Sequence, residues 1–398
     1  ESKDDQSKDD QSKDDSGTDK KDSETDNKDA KEQSNITVKV AGFTGTYDGK
    51  AHSITVTLEN AGSDVKVYYS TKQALTAENY ATEGNTTNPS ATDAGKTTVY
   101  YYVHDGGKEV TGGAGSSDIV INKAVLTITA KETYIVVGAA VAGTGVDYAG
   151  FVNGENESKL TGTLAYDSNY AQYGPEGEYT ITPKGLASVN YDIKYVAGKL
   201  YVLPNTQLYE GLSATQEGKK LKLTWGKVDG ADGYDIYVCY CGGTLPSKPT
   251  KTVSGLEKVK IKKLLGKKLN VKDKFKIRIV AWKDVNGEKT ELARTLIAHV
   301  VAAKNKEYVN VKKLTIKNSE IALATGASEK IKAKAKLTKK NGKQLDDEHG
   351  RDFRYLSSNP YVATVDKKGN VTGLKSGECV IYVLTRNFIV KKVTVKVQ

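Results

Sequence analysis

Cysteine is nearly missing: Cys239, Cys241 and Cys379 are the only three in 398 residues, so disulfides do not hold this chain together. Cys239 and Cys241 stand two apart on one expected strand, where a bridge would be strained. No second Cys or His pair lies near them, which argues against zinc. The count does not place the chain in a reducing compartment, because secreted proteins of many Gram-positive bacteria also use few. Histidine is equally sparse. His52, His104, His299 and His349 form neither HExxH nor another two-His metal spacing, and no GxSxG or phosphate-loop pattern occurs. No carboxylates pair recognisably for glycoside hydrolysis. The sequence therefore offers no catalytic residue, cofactor site or metal site, and an enzyme is not expected. Long apolar runs are lacking too: the longest, Tyr134 to Gly143, is broken by glycine and too short to span a bilayer. No secretory leader pattern is present and the chain opens at Glu1, as expected of a mature or trimmed ectodomain.

What the chain does contain is β-forming. Tyr outnumbers Phe by 24 to 5 and Gly reaches 38, a profile that suits half-buried pleated surfaces joined by turns. Four consecutive stretches of about ninety residues each carry period-two alternation: 35–122, 123–204, 205–303 and 304–398. Ahead of them, residues 1–34 repeat QSKDD-type units without an aromatic or branched apolar side chain, and are expected to be a disordered charged linker. Charge is divided unevenly. Residues 1–34 hold 7 basic and 13 acidic side chains, residues 35–204 hold 12 and 17, and residues 205–398 hold 40 and 19. The C-terminal half is thus a polycation suited to anionic polymers.

The first stretch, through GTYDGKAHSITV (Gly45 to Val56), VYYST (Val67 to Thr71), NPSATDAG (Asn88 to Gly95) and VYYYV (Val99 to Val103), resembles the MBG-type surface repeat in its YDG form, with the Asp48-Gly49 pair expected to supply a turn. The second resembles the sister YGX form, through FVNGENESKLTGTLAY (Phe151 to Tyr166) and GEYTITPKGLASVNYDIKYVAGKLYV (Gly177 to Val202), with Val137-Gly138 where that family has Tyr-Gly. The third looks like a fibronectin type III domain. LKLTW, GADGYDIYV and KFKIRIVAW fit its second, third and sixth strands, and alternation turns Leu221, Leu223, Trp225, Tyr234, Ile236, Phe275, Ile277 and Ile279 inward. Phe275 stands where that family has its corner Tyr. The fourth resembles the bacterial immunoglobulin-like domain of group 2, through SSNPYVATVDKKGNVTGLKSGECVIYV (Ser357 to Val383), with Tyr355 where a Trp commonly precedes the motif. Asn359-Pro360 and Lys368-Gly369-Asn370 are expected as turns, and Val362, Val365 and Val371 as core positions.

Together these resemblances imply an all-β chain: tandem β-sandwich, Ig-like domains in an elongated array after a disordered N-terminal tail. They imply an extracellular protein, secreted or on a bacterial cell surface, that binds a host glycan or a host protein such as immunoglobulin. A passive stalk, or an accessory module of a secreted polysaccharide-acting enzyme, are the alternatives. The candidate contacts are Tyr68, Tyr100, Tyr102 and His104, expected on the outer face of the first stretch, and Tyr237, Arg278 and Trp282 on the outer face of the third. The rows at Lys258 to Lys268 and Lys330 to Lys340 suit an anionic wall polymer. They lack the interleaved aromatics of nucleic-acid binders, so no nucleic-acid partner is expected. A monomer without a membrane span is expected. An acidic loop around His349, with Asp346, Asp347, Glu348 and Asp352, matches no calcium-loop spacing.

Overall fold

The alternation read from the sequence becomes strands almost everywhere in the computed structural model, which describes residues 32–340, 342–345 and 352–398. The charged linker up to residue 31 and the core of the acidic loop (residues 346–350) lie outside the described residues. Residues Glu32 to Ser34, read from the sequence as linker, belong to the folded part: Gln33 bridges to Glu109, and Ser34 is buried with its hydroxyl donating to Asp105. Two compact units result, divided at Ala124/Val125.

The first unit has a two-stranded sheet, Thr37–Ala41 against Thr55–Glu59, and a four-stranded one. The latter runs in the order Phe43–Thr46, Ala114–Asn122, Gly95–His104, Lys66–Ser70. Phe43–Thr46 lies parallel to Ala114–Asn122, so an early strand closes on the last. Val99, Tyr101, Val103, Ile119 and Ile121 form the buried face. The expected Asp48-Gly49 turn is present: Gly49 takes φ 73° and the Asp48 carboxylate binds His52 Nε2 at 2.9 Å.

The second unit repeats this closure twice. Thr133–Val136 pairs in parallel with Gly198–Leu203, and Glu320–Leu323 with Val390–Val397. Between them, residues 205–303 stack a three-stranded sheet (Ser213–Glu217, Lys220–Thr224, Lys258–Ile261) on a larger one. The larger sheet runs Lys251–Val253, Gly233–Tyr240, Lys274–Val285, Glu288–Arg294. All eight side chains expected inward here are 3% exposed or less. Phe275, without the hydroxyl of a corner Tyr, is fully enclosed.

Packing goes further than separate cores. Strand Gly377–Thr385 sends Cys379, Ile381 and Val383 into the core of the fourth stretch. Its alternate residues Tyr382 and Leu384, with Phe388, enter the core of the third. The Tyr382 hydroxyl donates to Glu210 at 3.0 Å, and the same carboxylate pairs with Lys392. The second stretch joins in: Tyr201 meets Tyr361 with ring centroids 4.2 Å apart, and Glu132 pairs with Lys375. Gly138, at φ 92°, lies so close to Leu292 that a Cβ would meet its methyl at 3.0 Å.

Candidate ligand-binding surfaces

On the first unit, cross-strand register sets Tyr68 opposite Tyr102, Ser70 opposite Tyr100 and Lys66 opposite His104. The predicted aromatic face therefore exists, but it is not open. The short helix Tyr80–Glu83, in the connection after Lys66–Ser70, lays Tyr80 over it: 4.8 Å and near parallel to both Tyr102 and His104, and edge-on to Tyr68. Tyr68, Tyr100, Tyr102 and His104 are all half-buried. Sequence reading missed Tyr80 because one aromatic in a polar loop has no periodicity to mark it.

On the third stretch, Tyr237 lies opposite Arg278, Asp235 opposite Val280 and Gly233 opposite Trp282. The three predicted contacts thus share a face, as alternation requires. Trp282 is not freely presented. Its ring lies against Gly233, where a Cβ would approach the indole to 2.6 Å, and Lys289 caps it at 4.1 Å. Lys289 also grips Asp235, whose side chain is only 8% exposed, with both oxygens at 2.9 Å. Asp235 was not anticipated, since a buried carboxylate on an outer sheet face leaves no trace in hydrophobic patterning. Thr252 donates to it at 2.6 Å and completes its shell.

Arg278 differs from its neighbours. Its guanidinium has no hydrogen bond or ion pair to another described residue, and its Nε is buried without a partner. It lines two clefts. One, of about 670 Å³, is bounded by Tyr237, Lys276, Arg294 and the loop Gly242 to Pro246. The other, of about 850 Å³, lies where the second, third and fourth stretches meet and is lined by Tyr173, Tyr209, Arg278, Glu291 and Arg354 among others. Arg354 donates through its two terminal nitrogens to the carbonyls of Ile297 and Thr385, leaving Nε buried and unpaired. Burial pushes the Arg354 pKa down to about 10. Burial raises that of the Tyr209 phenol, while the backbone N–H of Leu296 and the charges of Arg354 and Arg278 oppose the rise. Arg354 and Tyr209 also escaped the sequence reading, because their approach depends on how separate stretches pack.

The lysine rows fall on outer sheet faces. Lys222 sits directly across from Lys260, and Lys313 from Lys336, like charges that disfavour pairing, and Lys222 is already paired with Glu217. Among the described residues no group of three or more His, Cys, Asp or Glu side chains is placed to hold a metal. Cys241 meets His299 Nδ1 at 3.5 Å, and burial pushes its thiol pKa up to about 11, unsuited to nucleophilic use. No helix among the described residues is long and apolar enough to cross a membrane.

Two stretches can now be assigned to domain families. Residues 126–201 match the MBG domain of YGX type. Residues 310–397 match the bacterial Ig-like domain of group 2. In the MBG domain, Val137-Gly138 follows directly on the strand Thr133–Val136 that closes against Gly198–Leu203. In the Ig-like domain, Val362 and Val371 are buried as expected, and Val365 packs against the same core. No curated protein matches the chain. Among solved structures, the bacterial integrin-binding protein invasin shares 12% identity over 91% of this chain and 79% of its own, with TM-score 0.27. Domains 4 and 5 of the S-layer protein SbsC share 14% over 46% and 84%, TM-score 0.19. The FN1–FN3 domains of chicken CNTN1 share 11% over 66% and 99%, TM-score 0.20. MBG and bacterial Ig-like domains are non-catalytic surface modules and fit an extracellular adhesin-like or stalk role.

Proposed function

We propose that this chain is an adhesin-like protein of a Gram-positive bacterial surface, binding a host glycan or a host protein such as immunoglobulin without catalysis. In this reading residues 35–122 are a second MBG-type repeat, of YDG form, and residues 205–303 a fibronectin type III domain. The parallel closure of residues 35–122 recurs in the MBG domain and also in the Ig-like domain, so the first assignment, the YDG form, rests on the sequence motifs and not on this closure. The pairing of three strands against a larger sheet of matching strand order supports the second.

The observation that carries the binding reading is Arg278: a half-buried guanidinium without a partner among the described residues, beside Tyr237 and open to two clefts. Arg and Tyr in such settings are the side chains that dominate binding surfaces. The test is a screen of the full chain against host glycans and serum proteins. Micromolar binding to at least one is expected, and no response at high micromolar concentration rejects the reading. A Tyr80→Ala variant adds a second arm. It uncovers Tyr68, Tyr102 and His104, and is expected to strengthen binding only if that face takes part.

A stalk is the second reading, favoured by the core that the third stretch shares with the Ig-like domain. It is expected to keep the same solution dimensions in Arg278→Gln and to bind nothing on the panel. The lysine faces support contact with an anionic wall polymer, to be checked by salt-dependent co-sedimentation with purified cell wall.

A further inference from the structure

We propose that the cleft between Arg278 and Arg354 receives the carboxylate of an acidic sugar residue, a uronic or sialic acid carried on a glycan. This deepens the adhesive reading above and rests on it.

The two arginines come from different stretches. Arg278 is on strand Lys274–Val285 and Arg354 on Phe353–Ser357, and the shared core at Tyr382 and Phe388 helps hold these stretches together. Both line the same cleft, and the charge of each opposes the burial-driven rise of the Tyr209 phenol pKa. Neither has a carboxylate partner among the described residues. Arg354 is held only by main-chain carbonyls, and the like charge of Arg386 nearby weakens rather than balances it. Each keeps a buried Nε–H with nothing to donate to. A partly buried cation without a counter-charge is a costly arrangement that an incoming anion relieves. A carboxylate matches the guanidinium fork in both shape and charge.

The rest of the lining selects among carboxylates. Of its two acids, Glu291 is already tied to Arg294, so the free charge favours an anion despite Glu176. Tyr173, half-buried at the cleft wall, contributes aromatic surface against which a sugar ring packs, while Tyr209 is buried in the core beneath it. Asn205 and Thr290 supply both donors and acceptors, as hydroxyl groups require. The volume, about 850 Å³, is within the usual range for small-ligand sites. A bare inorganic anion would leave most of it empty.

The full chain is titrated with galacturonate, glucuronate and N-acetylneuraminate, with galactose, glucose and N-acetylglucosamine as neutral counterparts, and with a tripeptide bearing a free C-terminus. Binding is followed by calorimetry and by the Arg278 Nε resonance. The expected result is that at least one sugar acid binds about tenfold or more tightly than its neutral counterpart and shifts that resonance. Arg278→Gln should lose about tenfold in affinity with unchanged thermal stability, and Arg278→Lys should fall between. Equal binding of neutral and acidic sugars, an unmoved Arg278 resonance at millimolar ligand, or a preference for the peptide overturns the assignment. Should Arg278→Gln fail to fold, the resonance in the native chain still decides. Loss of the sugar-acid response with intact binding to another glycan or a serum protein defeats the cleft alone. Silence towards every ligand defeats the adhesive reading with it.

Discussion

At the scale of single residues, close approach decides more than chemical type. Gly233 is the clearest case: a Cβ there would meet the Trp282 ring at 2.6 Å and the Val253 carbonyl at 2.9 Å. Any side chain must therefore lift the indole away from Lys289 and Asp235. Gly233→Ala is expected to destabilise the third stretch by about 1–3 kcal/mol and to shift tryptophan emission to the red as the ring enters solvent. Unchanged emission and denaturation midpoint would mean the ring is not seated there. Gly369 combines two constraints, φ 82° and a Cβ position only 2.6 Å from the Tyr355 hydroxyl. It occupies the Lys368-Gly369-Asn370 turn that the sequence marked, where the Asp366 carboxylate accepts from the backbone N–H of both Lys368 and Asn370. That turn was legible because its cause is local. The lid that Tyr80 forms was not, because nothing in the polar segment around it says which sheet face it will cover.

At the scale of elements, strand Gly377–Thr385 is the decisive one. Period-two alternation assigns it one inner and one outer face, yet Tyr382 and Leu384 are as enclosed as Ile381 and Val383. The sequence already shows the reason, though not its meaning: CVIYVLT is apolar on both faces, as strands covered on two sides are. Tyr382→Ala removes a buried ring and the hydrogen bond to Glu210. It is expected to cost about 3 kcal/mol or more and to split the unfolding of Val125–Gln398 into separate transitions for the third stretch and the Ig-like domain. Calorimetry checks this, and a single transition with a merely lowered midpoint would show that the shared core is not what couples them. Strands facing solvent on one side, such as Lys258–Ile261 with its strict alternation of Lys and apolar residues, followed the simple reading.

At the scale of the whole molecule, the described chain is two units, and the second is stitched by polar as well as apolar contacts. Burial pushes the Glu132 carboxyl up, but the Lys375 ammonium and the Tyr134 hydroxyl outweigh it and hold the group below the usual range. A carboxylate with a depressed folded pKa adds stability above its unfolded value, about 4.3, and loses it as the pH falls through the folded value. Lys375→Gln is therefore expected to destabilise the unit near neutral pH by no more than about 1 kcal/mol, since both side chains keep solvent contact. The difference from the parent chain should vanish near pH 2 to 3. Denaturation curves of both chains at the two pH values check it. A difference that persists in acid would assign the effect to the lysine stem rather than to the ion pair.

The amino-acid order alone determined the all-β character, the turns at Asp48-Gly49 and Lys368-Gly369-Asn370, and which side chains of each strand point together. All of these arise from backbone geometry and from neighbours a few positions apart. Tertiary structure decided which faces stay open, and so where a ligand has access. Tyr80 closes one aromatic face, Lys289 caps Trp282, and Arg278 and Arg354 converge although they lie far apart along the chain. Side-chain periodicity sorts residues onto two faces; only the packing of distant segments determines what covers each face.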